Sequence, residues 1–172
     1  NNQNKVIILL IIFIFSIGCI SFYKKINNLK SYNASNIAGL AQNTFINGNY
    51  DEASVKFDRV VNDYPGTSGA MQSLIYLLNN AIKDNDYTLA LEIITKHKGN
   101  INNISDPIVK SYLYKVQGDI SLFEGNADDA LFYYTKANEI SVNINFQIKY
   151  NLDISSIFLV KKQYGKAIKL LN

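Results

Sequence analysis

An all-α chain of stacked helical hairpins is the fold class this sequence predicts, and three observations predict it. Four segments echo one another: Gly48-Asn49-Tyr50-Asp51-Glu52-Ala53 with Phe57, Asp86-Tyr87-Thr88-Leu89-Ala90 with Ile94, Gly125-Asn126-Ala127-Asp128-Asp129-Ala130 with Tyr134, and Gln163-Tyr164-Gly165-Lys166-Ala167 with Leu171. Their alanines lie 37, 40 and 37 residues apart. At such a period one hairpin cannot bury its apolar face alone, so neighbours must cover it. Finally, the 172 residues contain only two prolines and no long β-type alternation, which leaves helices few interruptions. With 48% hydrophobic and 18% charged residues the chain can bury a sizeable core.

In chain order, residues 1–5 are a short flank and residues 6–23 the strongest apolar run, uncharged between Lys5 and Lys24-Lys25. Eighteen residues at the helical rise span roughly 27 Å, enough for a bilayer core. A single-pass transmembrane helix is the leading reading; a cleaved or lipidated export signal and a buried core helix stay open. The lipidated reading rests on Ser16-Ile17-Gly18-Cys19, a small residue before cysteine, although the apolar run continues through Ile20, Phe22 and Tyr23. Residues 24–33 form a lysine-bearing connector, and residues 34–172 the repeat domain, truncated in its last repeat.

Each hairpin has its own logic. Ala41, Gly118 and Ser155 leave room for a partner helix to approach, and Ala53 and Ala130 do the same from the other side. Leu78 stands at the corresponding site of the second hairpin, where His97 also replaces a small residue. Asn49, Asn85 and Gly125 are expected in turns that need left-handed or irregular backbone. Asp51-Glu52 and Asp128-Asp129 open second helices, where carboxylates favour the helix dipole. Phe57, Ile94, Tyr134 and Leu171 follow the alanines by four residues, on one face, as core fillers.

These markers together resemble the tetratricopeptide repeat family over Asn33 to Asn172. The first copy carries Ala41, Gly48, Tyr50, Ala53, Phe57 and Pro65; the third carries Gly118, Gly125, Ala130, Tyr134 and Ala137, with Ala127 in place of the turn aromatic. The resemblance implies a right-handed solenoid of about four repeats that binds other proteins. A membrane span, a lysine-bearing connector and degenerate repeats, with Gly66-Thr67-Ser68-Gly69-Ala70 and Ile108 to Tyr114 leading to Gly118-Asp119, are similar to membrane-anchored ancillary subunits of the bacterial Sec translocon. Phe57 to Pro65 also resembles barrel-assembly lipoproteins, the alternative in which Cys19 is lipidated.

Both resemblances imply a bacterial envelope protein, single-pass in the inner membrane on the first, with an extracytoplasmic repeat domain and translocon subunits or exported chains as partners. Lys24, Lys25 and Lys30 against Lys5 favour the opposite, cytoplasmic side.

Catalysis is not expected. His97 is the single histidine and reads as a packed structural residue; Cys19 lies in the apolar run, and Gly48 and Gly125 are isolated turn glycines rather than a phosphate loop. No cofactor or metal and no small-molecule substrate is expected. A net charge of +3 with interleaved lysines also argues against nucleic acid.

By the family's inward-facing positions, the resemblance implies a protein-binding groove of Gln42, Phe45, Asn79, Lys83, Tyr112, Lys115, Asp119 and Phe123. Ile46, Ile82, Leu122 and Phe123 can equally be core residues, and Lys83 and Lys115 are read as exposed cations.

Overall fold

The computed structural model describes residues 2–102 and 104–171, with the side chains of 2–8 and 10 outside the description. Among the described residues there are nine helices and no strand: α1 (Asn2–Ile46), α2 (Tyr50–Asp63), α3 (Ser68–Lys83), α4 (Tyr87–Lys96), α5 (Lys98–Asn102), α6 (Pro107–Phe123), α7 (Ala127–Ile140), α8 (Ile144–Val160) and α9 (Tyr164–Leu171). Helices pack in consecutive pairs, α1 with α2, α3 with α4, α6 with α7 and α8 with α9. The second helix of a pair packs in turn on the first helix of the next.

One turn geometry joins all four pairs. Gly48, Asn85, Gly125 and Lys162 hold positive φ angles of 86°, 57°, 80° and 58°, each five residues before a buried alanine. The amide of each bonds the carbonyl three residues back, and the next amide bonds the carbonyl five back. In the first turn these bonds are Gly48 N–H to Phe45 at 3.0 Å and Asn49 N–H to Thr44 at 3.2 Å. In the last they are Lys162 N–H to Leu159 at 2.9 Å and Gln163 N–H to Phe158 at 2.8 Å. This Schellman pattern satisfies carbonyls that a helix end otherwise leaves open. The expectation at the first turn is corrected by one residue. Gly48 takes the left-handed backbone, for which it has no Cβ penalty, and Asn49 sits at φ −86° as the N-cap of α2.

Side chains start the helices where the sequence offers acceptors. Asp86 accepts from Leu89 N–H at 2.9 Å, Asn126 from Asp129 N–H at 3.2 Å, and Asp106 from Ile108 and Val109, with Pro107 in the first turn of α6. Each satisfies an amide that has no partner within the helix. Asp51 and Glu52 fall in the first turn of α2, Asp128 and Asp129 in that of α7.

Ala53, Ala90, Ala130 and Ala167 are all buried. Gly118 is where α6 meets α7: a Cβ there would lie 2.4 Å from the Tyr134 ring, so only glycine admits this approach. At the equivalent Leu78 the larger side chain is fully buried, and α3 and α4 engage each other less extensively. Phe57 stacks on Tyr76 with centroids 4.9 Å apart. The filler assignment holds fully for Phe57 and Tyr134 and in part for Ile94, whereas Leu171 is 53% exposed, because no described helix packs over the outer face of α9. The interval of 40 residues coincides with α4 ending early at His97 and the short α5 standing before the third pair.

α1 runs unbroken through the expected connector, since residues 24–33 contain neither glycine nor proline to stop it. Its C-terminal part enters the core through Ala34, Ala38 and Ala41. Gly69 of α3 sits so close that a Cβ would be 2.5 Å from the Ala34 carbonyl carbon. Among the described residues no helix is long and apolar enough to cross a membrane. The expected span at 6–23 begins on residues 6–8 and includes 10, whose side chains lie outside the described ones.

Candidate protein-binding groove

The first helices of the second, third and fourth pairs line one cavity of about 350 Å³. α3 contributes Ile75, Asn79 and Ile82; α6 contributes Ile108, Tyr112, Lys115, Val116 and Asp119; α8 contributes Phe146, Lys149 and Tyr150. Isoleucines, Val116 and Phe146 supply apolar walls, and the polar groups stand among them on three separate helices. An amphipathic recess of this kind can seat a segment of another chain.

Its polar groups are mutually arranged. The Tyr112 hydroxyl donates to Asn79 Oδ1 at 2.7 Å and thereby ties α6 to α3. Lys115 Nζ and Asp119 Oδ2 are 2.5 Å apart, and the Tyr134 hydroxyl donates to the other Asp119 oxygen at 2.8 Å. Burial, and next to it the Asp119 charge, push both the Tyr112 and Tyr134 hydroxyls well above the ordinary phenol range. They therefore stay protonated donors at any physiological pH.

Asp153, one turn beyond Lys149 on α8, has a buried Oδ2 with no hydrogen-bond partner among the described residues. Burial raises its pKa; Lys115 and Lys149 oppose that rise and Asp119 adds to it. Lys149 is exposed on the groove's rim.

Four of the eight expected groove residues come together here: Asn79, Tyr112, Lys115 and Asp119. Gln42, Phe45, Lys83 and Phe123 lie off this cavity. Phe45 packs edge-on against Tyr50 at 4.9 Å, and Phe123 stacks on Tyr87 at 4.9 Å while remaining 61% exposed. The core alternative fails for Ile46 and Leu122, which are 70% and 45% exposed, and for Phe123; only Ile82 packs on the core.

Lys115 corrects a further expectation. Its side chain is 17% exposed and ion-paired, not a free cation. Sequence reasoning missed Phe146, Lys149 and Tyr150, although carrying the third repeat's register one copy further along the chain places Lys149 opposite Tyr112.

Elsewhere, His97 is buried at the end of α4, with Nε2 3.0 Å from Asp58 Oδ1 of α2. Lys96 Nζ donates to both oxygens of the same carboxylate. Burial alone would raise the Asp58 pKa, but bonds and charge from Lys96 and His97 outweigh it and hold the carboxyl below its usual range. This cluster pins α4 to α2 as a packed histidine would. Among the described residues no group of three metal-ligating side chains comes together.

No protein-family model matches this chain, and no curated protein matches it.

Proposed function

We propose that this chain is a membrane-anchored, protein-binding scaffold of the bacterial envelope, a right-handed tetratricopeptide-like solenoid of about four repeats that assists protein translocation or assembly. The observation that carries the reading is the groove shared by α3, α6 and α8, whose apolar walls and polar groups come from three successive helix pairs. Apolar walls with polar groups spread over three helix pairs suit a segment of a partner protein. The anchor reading is supported by the apolar side chains of α1 that no other described element covers, Leu9, Ile11 to Phe15, Ile17, Ile20, Phe22 and Tyr23.

Charge reversal tests the groove. Lys149 lines the groove and is exposed on its rim, so Lys149→Glu should leave helical circular dichroism nearly unchanged. Chemical crosslinking in intact membranes should lose the partners recovered with the parent protein, because a reversed charge opposes the same segment. Equal recovery of the same partners would remove the groove from the account. Lys115 is unsuitable for this test, since Lys115→Glu would set a new carboxylate against Asp119 in a largely buried site.

A further inference from the structure

Helix α1 carries a second feature that the groove does not explain. Ile11, Ile12, Phe13, Ile14 and Phe15 are consecutive and all exposed. Five successive residues exceed one helical turn, so apolar side chains face every direction around the axis. A partner helix or a position flat on a membrane surface covers one side only; a surrounding fluid hydrocarbon covers all.

Further along the same helix, beyond Ser16 to Ser21, come Phe22 and Tyr23, then Lys24, Lys25 and Lys30, all exposed. At the helical turn angle the second and third lysines point about 100° and about 240° from the first, within roughly 9 Å of rise, so the three ammonium groups encircle the helix. No Asp or Glu precedes Asp51 in the sequence, so α1 holds no carboxylate to neutralise them. The same helix continues without a break to Ala34, the first described side chain that is buried in the core.

We propose that Lys24, Lys25 and Lys30 form a collar that binds the phosphate groups of anionic phospholipids around α1. This rests on the membrane-anchor reading and adds to it a lipid class and the residues that select it. Nucleic acid is the poorer occupant, because a duplex or strand would meet lysines on one side of the helix and leave the neighbouring apolar stretch in water. With the helix unbroken from collar to core, the bound headgroups fix the depth at which the repeat domain stands.

The test reconstitutes the full chain in phosphatidylcholine bilayers with a trace of spin-labelled phosphatidylglycerol or spin-labelled phosphatidylcholine. Electron paramagnetic resonance then reads the motionally restricted lipid at the protein surface. The expected result is a restricted component that favours phosphatidylglycerol on the order of fivefold, the selectivity that one surface lysine can supply. Selectivity should fall toward one in Lys24→Gln/Lys25→Gln/Lys30→Gln, persist in the corresponding triple arginine variant, and weaken with salt. A restricted component that takes both lipids equally, or a preference that the glutamine variant retains, would overturn the collar and leave the anchor standing. Absence of any restricted lipid would overturn the anchor reading, and the collar with it.

Discussion

Lys162 sits in left-handed backbone at φ 58°, where the equivalent turns use Gly48, Asn85 and Gly125. A lysine Cβ is crowded there and a glycine is not, so Lys162→Gly should stabilise the protein by about 1 kcal/mol, read from thermal or denaturant unfolding. The chemistry of the residue gives no hint of this position, because lysine rarely adopts that conformation; only the five-residue offset from Ala167 reveals it. Asn85 and Gly125 were readable for the opposite reason, being types that tolerate the turn.

Asp153 belongs to the same scale. Burial raises its pKa above the ordinary 3.8, so between 3.8 and its folded value the native chain binds a proton that the unfolded chain has released. Stability from this group is thus present below the unfolded value and lost as pH rises through the folded one. Asp153→Asn should therefore raise the melting temperature at neutral pH, with the gain shrinking as pH falls to 3.8 and below. A gain independent of pH would mean that ionisation is not its cause.

Between helices, close crossings hold the pairs together. Gly69→Ala places a methyl 2.5 Å from the Ala34 backbone, which cannot rotate aside, so α1 and α3 must separate; the expected cost is about 1–3 kcal/mol in unfolding experiments. Ala130 is fully buried between helices, so Ala130→Glu should cost about 3–5 kcal/mol by stranding a charge. Asp128→Ala should cost about 1 kcal/mol or less, since its pairing with Lys161 and the start of α7 is exposed. Similar melting temperatures for the two variants would place the register elsewhere.

The hairpins were legible because their alanines and turns recur with one spacing, a signal that survives loss of single markers. The close approach at Gly69 was not, since its partner Ala34 lies far away in sequence and no local pattern joins them. Nor was the continuity of α1 legible, for polar asparagines and lysines resemble a linker until packing of Ala34, Ala38 and Ala41 extends the helix behind them.

For the whole molecule, the groove was half legible. Asn79, Tyr112, Lys115 and Asp119 follow from projecting inward-facing positions onto successive first helices, and α3 and α6 do present them to one cavity. Phe45 and Phe123 failed to join them because aromatic neighbours, Tyr50 and Tyr87, offered nearer surfaces to pack on. The contribution of α8 escaped because the inward-facing positions were projected onto the first three hairpins only, although the same register carried one copy further reaches Lys149 beside Phe146 and Tyr150. Their common location arises from the stacking of pairs, which sequence markers of the turns do not encode.

The central claim, that the groove receives a segment of another protein, is tested most directly by position-specific photocrosslinking in intact membranes. A photoreactive side chain would replace Phe146 on the groove wall or Glu92, which borders a separate recess between α2, α3 and α4. A discrete protein adduct is expected from position 146, absent from position 92 and lost when Lys149→Glu is added. No adduct from position 146, or the same adducts from both positions regardless of that substitution, would contradict the claim.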